Sequence, residues 1–192
     1  MFDRKTEIRR TAARLFRKKG YGAVSVRDIA EGVGIKAASI YNHFASKQDL
    51  LCDLLLTPAR LFTAGMQAVK LSALDSPAQL RALIQLHVRL AVESTDAVAL
   101  LTAEWTHLEG EARSEFFRLR EEYENDFTAI IERGKAEGFL KSEADTEIIV
   151  FSLLSTLRWL PSWYGRRKNL NVSKLEGEIS KTLLEGIVKP NE

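Results

Sequence analysis

The sequence predicts an all-α protein of about nine helices. Three observations lead there. Apolar residues recur three and four positions apart along most of the chain, the period of one helix face. No stretch alternates apolar and polar residues as a half-buried strand would. Only 4 prolines and 11 glycines occur in 192 residues, and Gly20, Gly22, Gly34 and Gly138 stand where a periodic stretch stops, since glycine accepts the left-handed backbone that ends a helix.

The first helix carries Ile8, Ala12, Leu15 and Phe16 on one face and Arg9, Arg10, Arg14 and Arg17 around the rest. Lys19-Gly20-Tyr21-Gly22 ends it. Ser25-Val26-Arg27-Asp28 has capping-box spacing, in which a hydroxyl and a carboxylate three residues on satisfy each other's backbone amides. It opens a short helix with Ile29, Ala30 and Val33 inward. Gly34 breaks the chain before a third short helix containing Ser39, Ile40, Tyr41 and Phe44. Ser46-Lys47-Gln48-Asp49 is a second capping box and opens a fourth helix through Leu50, Leu51, Leu54 and Leu55. Thr57-Pro58 either kinks that helix or restarts it, because proline lacks the amide donor.

Beyond residue 56 the reading is helical throughout. Ser76-Pro77, a cap and a first-turn proline, starts a helix to about Glu93. Asp96 caps a short helix through Trp105. Phe116, Leu119, Tyr123, Phe127 and Ile130 share one face of a long helix ending at Gly138. Asp145 opens an apolar helix with Pro161 near its end. Ser173-Lys174-Leu175-Glu176 is a third capping box, and Leu175, Ile179, Leu183 and Ile187 stripe the last helix.

The one cysteine, Cys52, excludes a disulfide framework and a multi-cysteine metal site; its place on the fourth helix reads as buried. No run of about 18 apolar residues is present, so no segment spans a bilayer. Met1-Phe2-Asp3-Arg4-Lys5 leads into a charged helix without an apolar signal core, and the expectation is a cytoplasmic protein with no membrane partner. The net charge of +2 hides a division: residues 1–50 hold 11 Lys+Arg against 5 Asp+Glu, and residues 51–192 hold 17 against 21. A small basic segment on a larger acidic one marks a nucleic-acid module joined to something else. The expected domains are therefore 1–56 and 57–192.

Within the basic segment, two short helices joined at Gly34 after a basic first helix form a helix-turn-helix, whose second helix enters the major groove with its N-terminal residues on base edges. Those are Lys36, Ala37, Ala38 and Ser39, followed by Tyr41, Asn42 and His43. Small side chains allow close approach, and an alanine can meet a thymine methyl. Tyr41, His43 and Lys47 suit phosphates.

Ser25-Val26-Arg27-Asp28-Ile29-Ala30, Gly34-Ile35, Ser39-Ile40-Tyr41-Asn42-His43-Phe44 and Ser46-Lys47 together resemble the DNA-binding domain of the TetR (tetracycline-repressor-like) family, over about residues 4–55. The resemblance implies a homodimeric, all-helical repressor with three N-terminal helices on an operator duplex and a C-terminal domain for a small-molecule effector. By position, Ser25, Arg27, Tyr41, His43 and Lys47 match phosphate-contacting places, while Lys36, Ala37, Ala38, Ser39 and Asn42 match base-facing ones. Many members carry Ser or Thr where this chain has Lys36, so this position caps poorly and its role, base or phosphate, stays open.

More loosely, Glu104-Trp105, Arg120, Tyr123, Gly134, Gly138-Phe139 and Trp163-Tyr164 resemble the subgroup whose effectors are acyl-CoA thioesters. Such a ligand needs cations bordering an apolar cavity. Arg158 and Gly165-Arg166-Arg167-Lys168 offer the cations, and Trp105, Phe116, Tyr123, Phe127, Trp159 and Trp163 the apolar lining. A solvated loop and an ordinary aromatic core are the plainer readings of the same residues. His87, in the stripe of Leu80, Leu83, Ile84 and Leu90, reads either as a satisfied core histidine or as an effector contact. The dimer is expected through the last two helices, with Leu175, Ile179, Leu183 and Ile187 against Ile148, Phe151 and Trp159 in a four-helix bundle on a near-palindromic operator. Two rivals stay open: a multidrug or aromatic-ligand sensor of the same family, and a metal enzyme using Glu104 and His107, which lacks the second matching pair such sites need. No Gly-rich phosphate loop or nucleophile–base pair occurs, so no enzymatic activity, cofactor or metal is expected.

Overall fold

The computed structural model describes residues 3–167 and 170–185; Lys168 and Ile187, both singled out above, lie outside the described residues. Among those residues there are nine α-helices: α1 (Arg4–Lys19), α2 (Val26–Val33), α3 (Ala37–Ile40), α4 (Lys47–Leu71), α5 (Ser76–Glu93), α6 (Thr95–Ala103), α7 (Gly110–Ala136), α8 (Thr146–Tyr164) and α9 (Val172–Glu185), with a 3-10 turn at Trp105–His107.

Local chemistry explains most ends. Ser25 accepts from the Asp28 amide while Asp28 accepts from the Ser25 amide, so the capping box that opens α2 is complete. At Ser46 it is half made: its hydroxyl accepts from Asp49, but the Asp49 carboxylate takes the Ala45 amide instead. Elsewhere the caps shift by a residue or two. Asp75, not Ser76, caps α5. Ser94 precedes α6, leaving Asp96 in its first turn. Asn171, not Ser173, accepts from the Lys174 amide at the start of α9. Asp145 caps α8 as expected.

Pro58 neither ends nor restarts α4, which runs unbroken from Lys47 to Leu71. Proline removes one backbone donor, and the buried ring is packed well enough for the helix to carry the loss. Consequently α4 crosses residue 56 without interruption and belongs to both halves.

Two apolar cores result. One joins Ile8, Phe16, Ile29, Ile40, Phe44, Leu51 and Leu55 of the N-terminal helices to Leu100, Leu108, Phe116 and Leu119. The other gathers Phe62, Met66, Leu80, Ile84, Phe127, Ile131, Leu153 and Leu157. Leu101 packs against both. Burial of this kind stabilises by about 25 cal/mol per Å² of apolar surface, so the first core binds α6 and the start of α7 to the N-terminal unit. In α9, Leu175 is buried and Ile179 and Leu183 pack on the chain's own second core. Within the chain, then, Leu175 of that stripe is covered and Ile179 and Leu183 are partly covered, whereas Ile148, Phe151 and Trp159 of α8 are 62, 69 and 62% exposed.

Candidate nucleic-acid interface and ligand cavity

The N-terminal surface is built around α3. Gly34 sits at φ 74°, and the amide of Ile35 returns to the Ala30 carbonyl at 2.9 Å, closing α2 and turning the chain. At Gly32, a Cβ would lie 2.8 Å from the Thr11 methyl, so glycine lets α2 lie close on α1. Ile40 and Phe44 are buried. With these two anchors inward, Arg27, Lys36, Ala38, Tyr41 and Asn42 are left exposed, and Ser39 and His43 are partly so. Ala37 is instead half-buried against the core. Lys36 forms no side-chain cap, as its chemistry dictates.

Two predicted phosphate-facing residues have internal duties. The Ser25 hydroxyl donates to the Asp28 carboxylate at 2.5 Å, and these bonds hold the Asp28 carboxyl below the usual range. The Lys47 ammonium donates to the carbonyls of Tyr21 and Val24 at 2.9 and 2.8 Å and lies over the Tyr21 ring. An ammonium has three protons, and Lys47 spends two of them inside the fold.

A cavity of about 200 Å³ lies between the two cores. Ala59, Phe62 and Thr63 of α4, His87 of α5, Val98, Leu101 and Thr102 of α6, Trp105 of the 3-10 turn, Phe116, Leu119, Arg120 and Tyr123 of α7, and Leu157 and Arg158 of α8 line it. His87, Trp105, Phe116, Tyr123 and Arg158 of the predicted set are thus brought together. Three are not. Phe127 is fully buried one turn beyond Tyr123, Trp159 faces outward, and Trp163 packs on the second core with the Arg167 guanidinium 4.5 Å from its ring. Phe62, Leu119 and Arg120 join the lining although they were not among the expected effector contacts; the last two sit at helical spacing from Phe116 and Tyr123.

His87 Nε2 and the Tyr123 hydroxyl are 2.9 Å apart, and His87 also packs on the Phe62 ring. Burial, and then the nearby Arg158 charge, push the His87 pKa down to about 3, so the imidazole is neutral. His87 is thus a satisfied buried histidine that also lines the cavity. At the rim, Arg120 and Arg158 donate to the same oxygen of Glu124 at 3.0 and 2.5 Å. Burial acts to raise the Glu124 pKa, but these two guanidiniums outweigh it and hold the carboxyl below its usual range.

The cavity wall is also the bracket of the N-terminal unit. Glu104 accepts from the Tyr21 amide at 3.3 Å, the His107 carbonyl accepts from Gln48 at 2.8 Å, and Asp96 holds Arg17 at 2.7 Å. Glu104 and His107 come within 3.5 Å of each other, but among the described residues no group of three or more potential metal-binding side chains assembles. No described helix is long and apolar enough to cross a membrane.

A four-residue recognition helix set by a left-handed glycine, joined through a shared core to a helical body with a cavity, is the arrangement of a one-component regulator. The model for bacterial regulatory proteins of the tetR family matches residues 8–54, and the tetracyclin repressor-like C-terminal domain matches residues 73–187. The chain belongs to the TetR family and is a ligand-responsive transcriptional repressor. It is 30% identical over 190 residues to the HTH-type transcriptional repressor KstR2 of Rhodococcus jostii (strain RHA1), covering 98% of this chain and 93% of that protein. In fold it is similar to the ketosteroid transcriptional regulator KstR2 of Mycobacterium tuberculosis, with a TM-score of 0.91, 23% identity and coverage of 99 and 97% of the two chains. It is also similar to AibR, solved in complex with isovaleryl coenzyme A and operator DNA, with a TM-score of 0.78, 23% identity and coverage of 95 and 98%.

Proposed function

We propose that this repressor is a two-fold dimer released from its operator when an acyl-CoA thioester enters the cavity. The polarity of the cavity carries the reading. Its interior is apolar, and its rim places two guanidiniums against one carboxylate, a net positive charge. Neutral His87 adds no charge inside. A ligand with one apolar and one anionic end matches that gradient. About 200 Å³ admits an acyl group but not the whole thioester, so the nucleotide end remains outside. The acyl-CoA complex of AibR supports the same ligand class.

On DNA, Lys36, Ala38, Ser39 and Asn42 face base edges, with Ala37 behind them. Arg27, Tyr41, His43, Lys47 and the Ser25 turn face phosphates. The exposed apolar stripe of α8, Ile148, Phe151 and Trp159, packs against a second copy, which sets the two recognition helices about one DNA turn, roughly 34–36 Å, apart on a near-palindrome. On this reading the protein acts on DNA in the cytoplasm as a regulator and not as an enzyme.

Coupling runs through α6. Val98, Leu101 and Thr102 line the cavity, while Asp96, at the other end of that stretch from Glu104 and His107, holds the N-terminal unit. The ligand shifts the equilibrium only by its differential affinity for the two states, typically about 1–3 kcal/mol. Thermal melts with acyl-CoAs and the matching free acids test the ligand class. At about 100 Kd a ligand of the native state adds roughly 2.7 kcal/mol, several degrees in Tm. The thioesters should give that shift, the free acids should not, and Arg158→Ala should shrink it. A larger shift from a CoA-free aromatic compound would favour a drug-type sensor, and no shift with any thioester would refute the proposal.

A further inference from the structure

Polar groups that line an apolar cavity have to place their protons on an acceptor. The threonines do so within their own helices: the Thr63 hydroxyl donates to the Ala59 carbonyl at 3.2 Å, and that of Thr102 to the Ala99 carbonyl at 3.1 Å. His87 and Tyr123 do not. Each is only 6% exposed, and among the described residues their one hydrogen bond is the 2.9 Å contact between them. A neutral imidazole carries one N–H and a phenol one O–H. The pair therefore owns two protons and uses one. If the imidazole donates, the phenol O–H is left over; if the phenol donates, the other ring nitrogen keeps its N–H. Neither tautomer absorbs both. Phe62, tilted on the His87 ring at 4.5 Å and edge-on to Tyr123 at 6.1 Å, holds the two rings in place.

We infer that this pair selects the effector by an oxygen atom in its buried portion, a carbonyl or hydroxyl oxygen that accepts the unspent proton. The inference rests on the acyl-CoA reading and adds to it what the enclosed end carries. Two oxygens meet the requirement: the thioester carbonyl, or a ketone or hydroxyl along the acyl chain. A saturated hydrocarbon offers no acceptor, so its entry buries the donor unpaired. A site built to hydrogen-bond its ligand rejects the analogue that lacks the group. Phe62, Val98 and Leu157 give the cavity apolar contact without direction, and the pair supplies the discrimination that such contact lacks.

Calorimetric titration of the full-length protein with three ligands tests the inference. They are octanoyl-CoA, its thioether analogue octyl-CoA, which lacks the carbonyl, and an octanoyl-CoA with a ketone in mid-chain. Octanoyl-CoA binding about three- to tenfold tighter than octyl-CoA, the scale of one net hydrogen bond, assigns the thioester carbonyl. A similar gain for the ketone over plain octanoyl-CoA assigns a chain oxygen. Tyr123→Phe alone leaves His87 with a donor, so the decisive variant combines Tyr123→Phe with His87→Leu. It should erase whichever preference wild type shows. It should also bind octyl-CoA more tightly than wild type does, a gain that simple loss of structure does not produce. If wild type binds all three ligands alike, or the double variant keeps the wild-type preference, the inference is overturned and the acyl-CoA reading survives. If wild type binds none of them, that reading fails and this inference with it.

Discussion

His87 shows what a single buried side chain dictates. It is enclosed by Phe62 and Tyr123 and held neutral, with its pKa pushed down to about 3 by burial and by Arg158. In the unfolded chain it titrates near 6.5. Between those values the unfolded state binds the extra proton, so stability is complete above about pH 6.5 and falls as pH drops toward 3, by on the order of 1 kcal/mol per pH unit. Most carboxylates titrate below the upper part of that window. Denaturation midpoints measured between pH 6.5 and 5 should therefore fall in wild type and stay nearly level in His87→Gln, which keeps a polar partner for Tyr123 without titrating. Equal slopes in the two proteins would show that His87 is already protonated in the fold.

The elements show where local rules suffice. Gly34 needs its φ of 74° to end α2 and start the turn to α3, and a side chain in left-handed backbone costs about 1–2 kcal/mol. Gly34→Ala should lower Tm by a few degrees and weaken operator binding more than a cap substitution at Asp75 of equal stability cost, because only the former tilts α3. The Ser25 box and Gly34 were legible in the sequence because their partners lie within five residues. The caps of α5, α6 and α9 were not, since Asp75-Ser76, Ser94 near Asp96, and Asn171 near Ser173 each offer competing polar residues, and packing at a distance selects among them. The stripe on α9 shows the same limit: periodicity finds an apolar face, and the partner it meets, α5 in the same chain or a second copy, is a matter of tertiary arrangement. Phe127 shares a face with Tyr123 but lies one turn deeper, past the end of the cavity. At Pro58 the sequence left a kink or a restart open, and the unbroken α4 removes the restart, because propensity weighs the missing amide and not the burial around it.

At the scale of the whole molecule, near-neutral charge conceals a basic N-terminal unit on an acidic body. The pairs that join them, Arg17 to Asp96, Tyr21 to Glu104 and Gln48 to His107, are separated by 79, 83 and 59 residues, which is why no sequence pattern announced them. They all end on one stretch, α6 and the turn after it, whose opposite side lines the cavity. On the proposed reading the molecule is a switch: a ligand in the cavity and a duplex on α3 act on the same bracket, and each must weaken the other's binding by the same factor. The most direct measurement is fluorescence anisotropy of the protein on a duplex from the DNA flanking its own gene, titrated with an acyl-CoA that raises its Tm. Operator affinity should fall by about tenfold or more at saturating thioester, about 1.4 kcal/mol of coupling. An operator affinity that stays unchanged while the thioester is demonstrably bound would contradict the account.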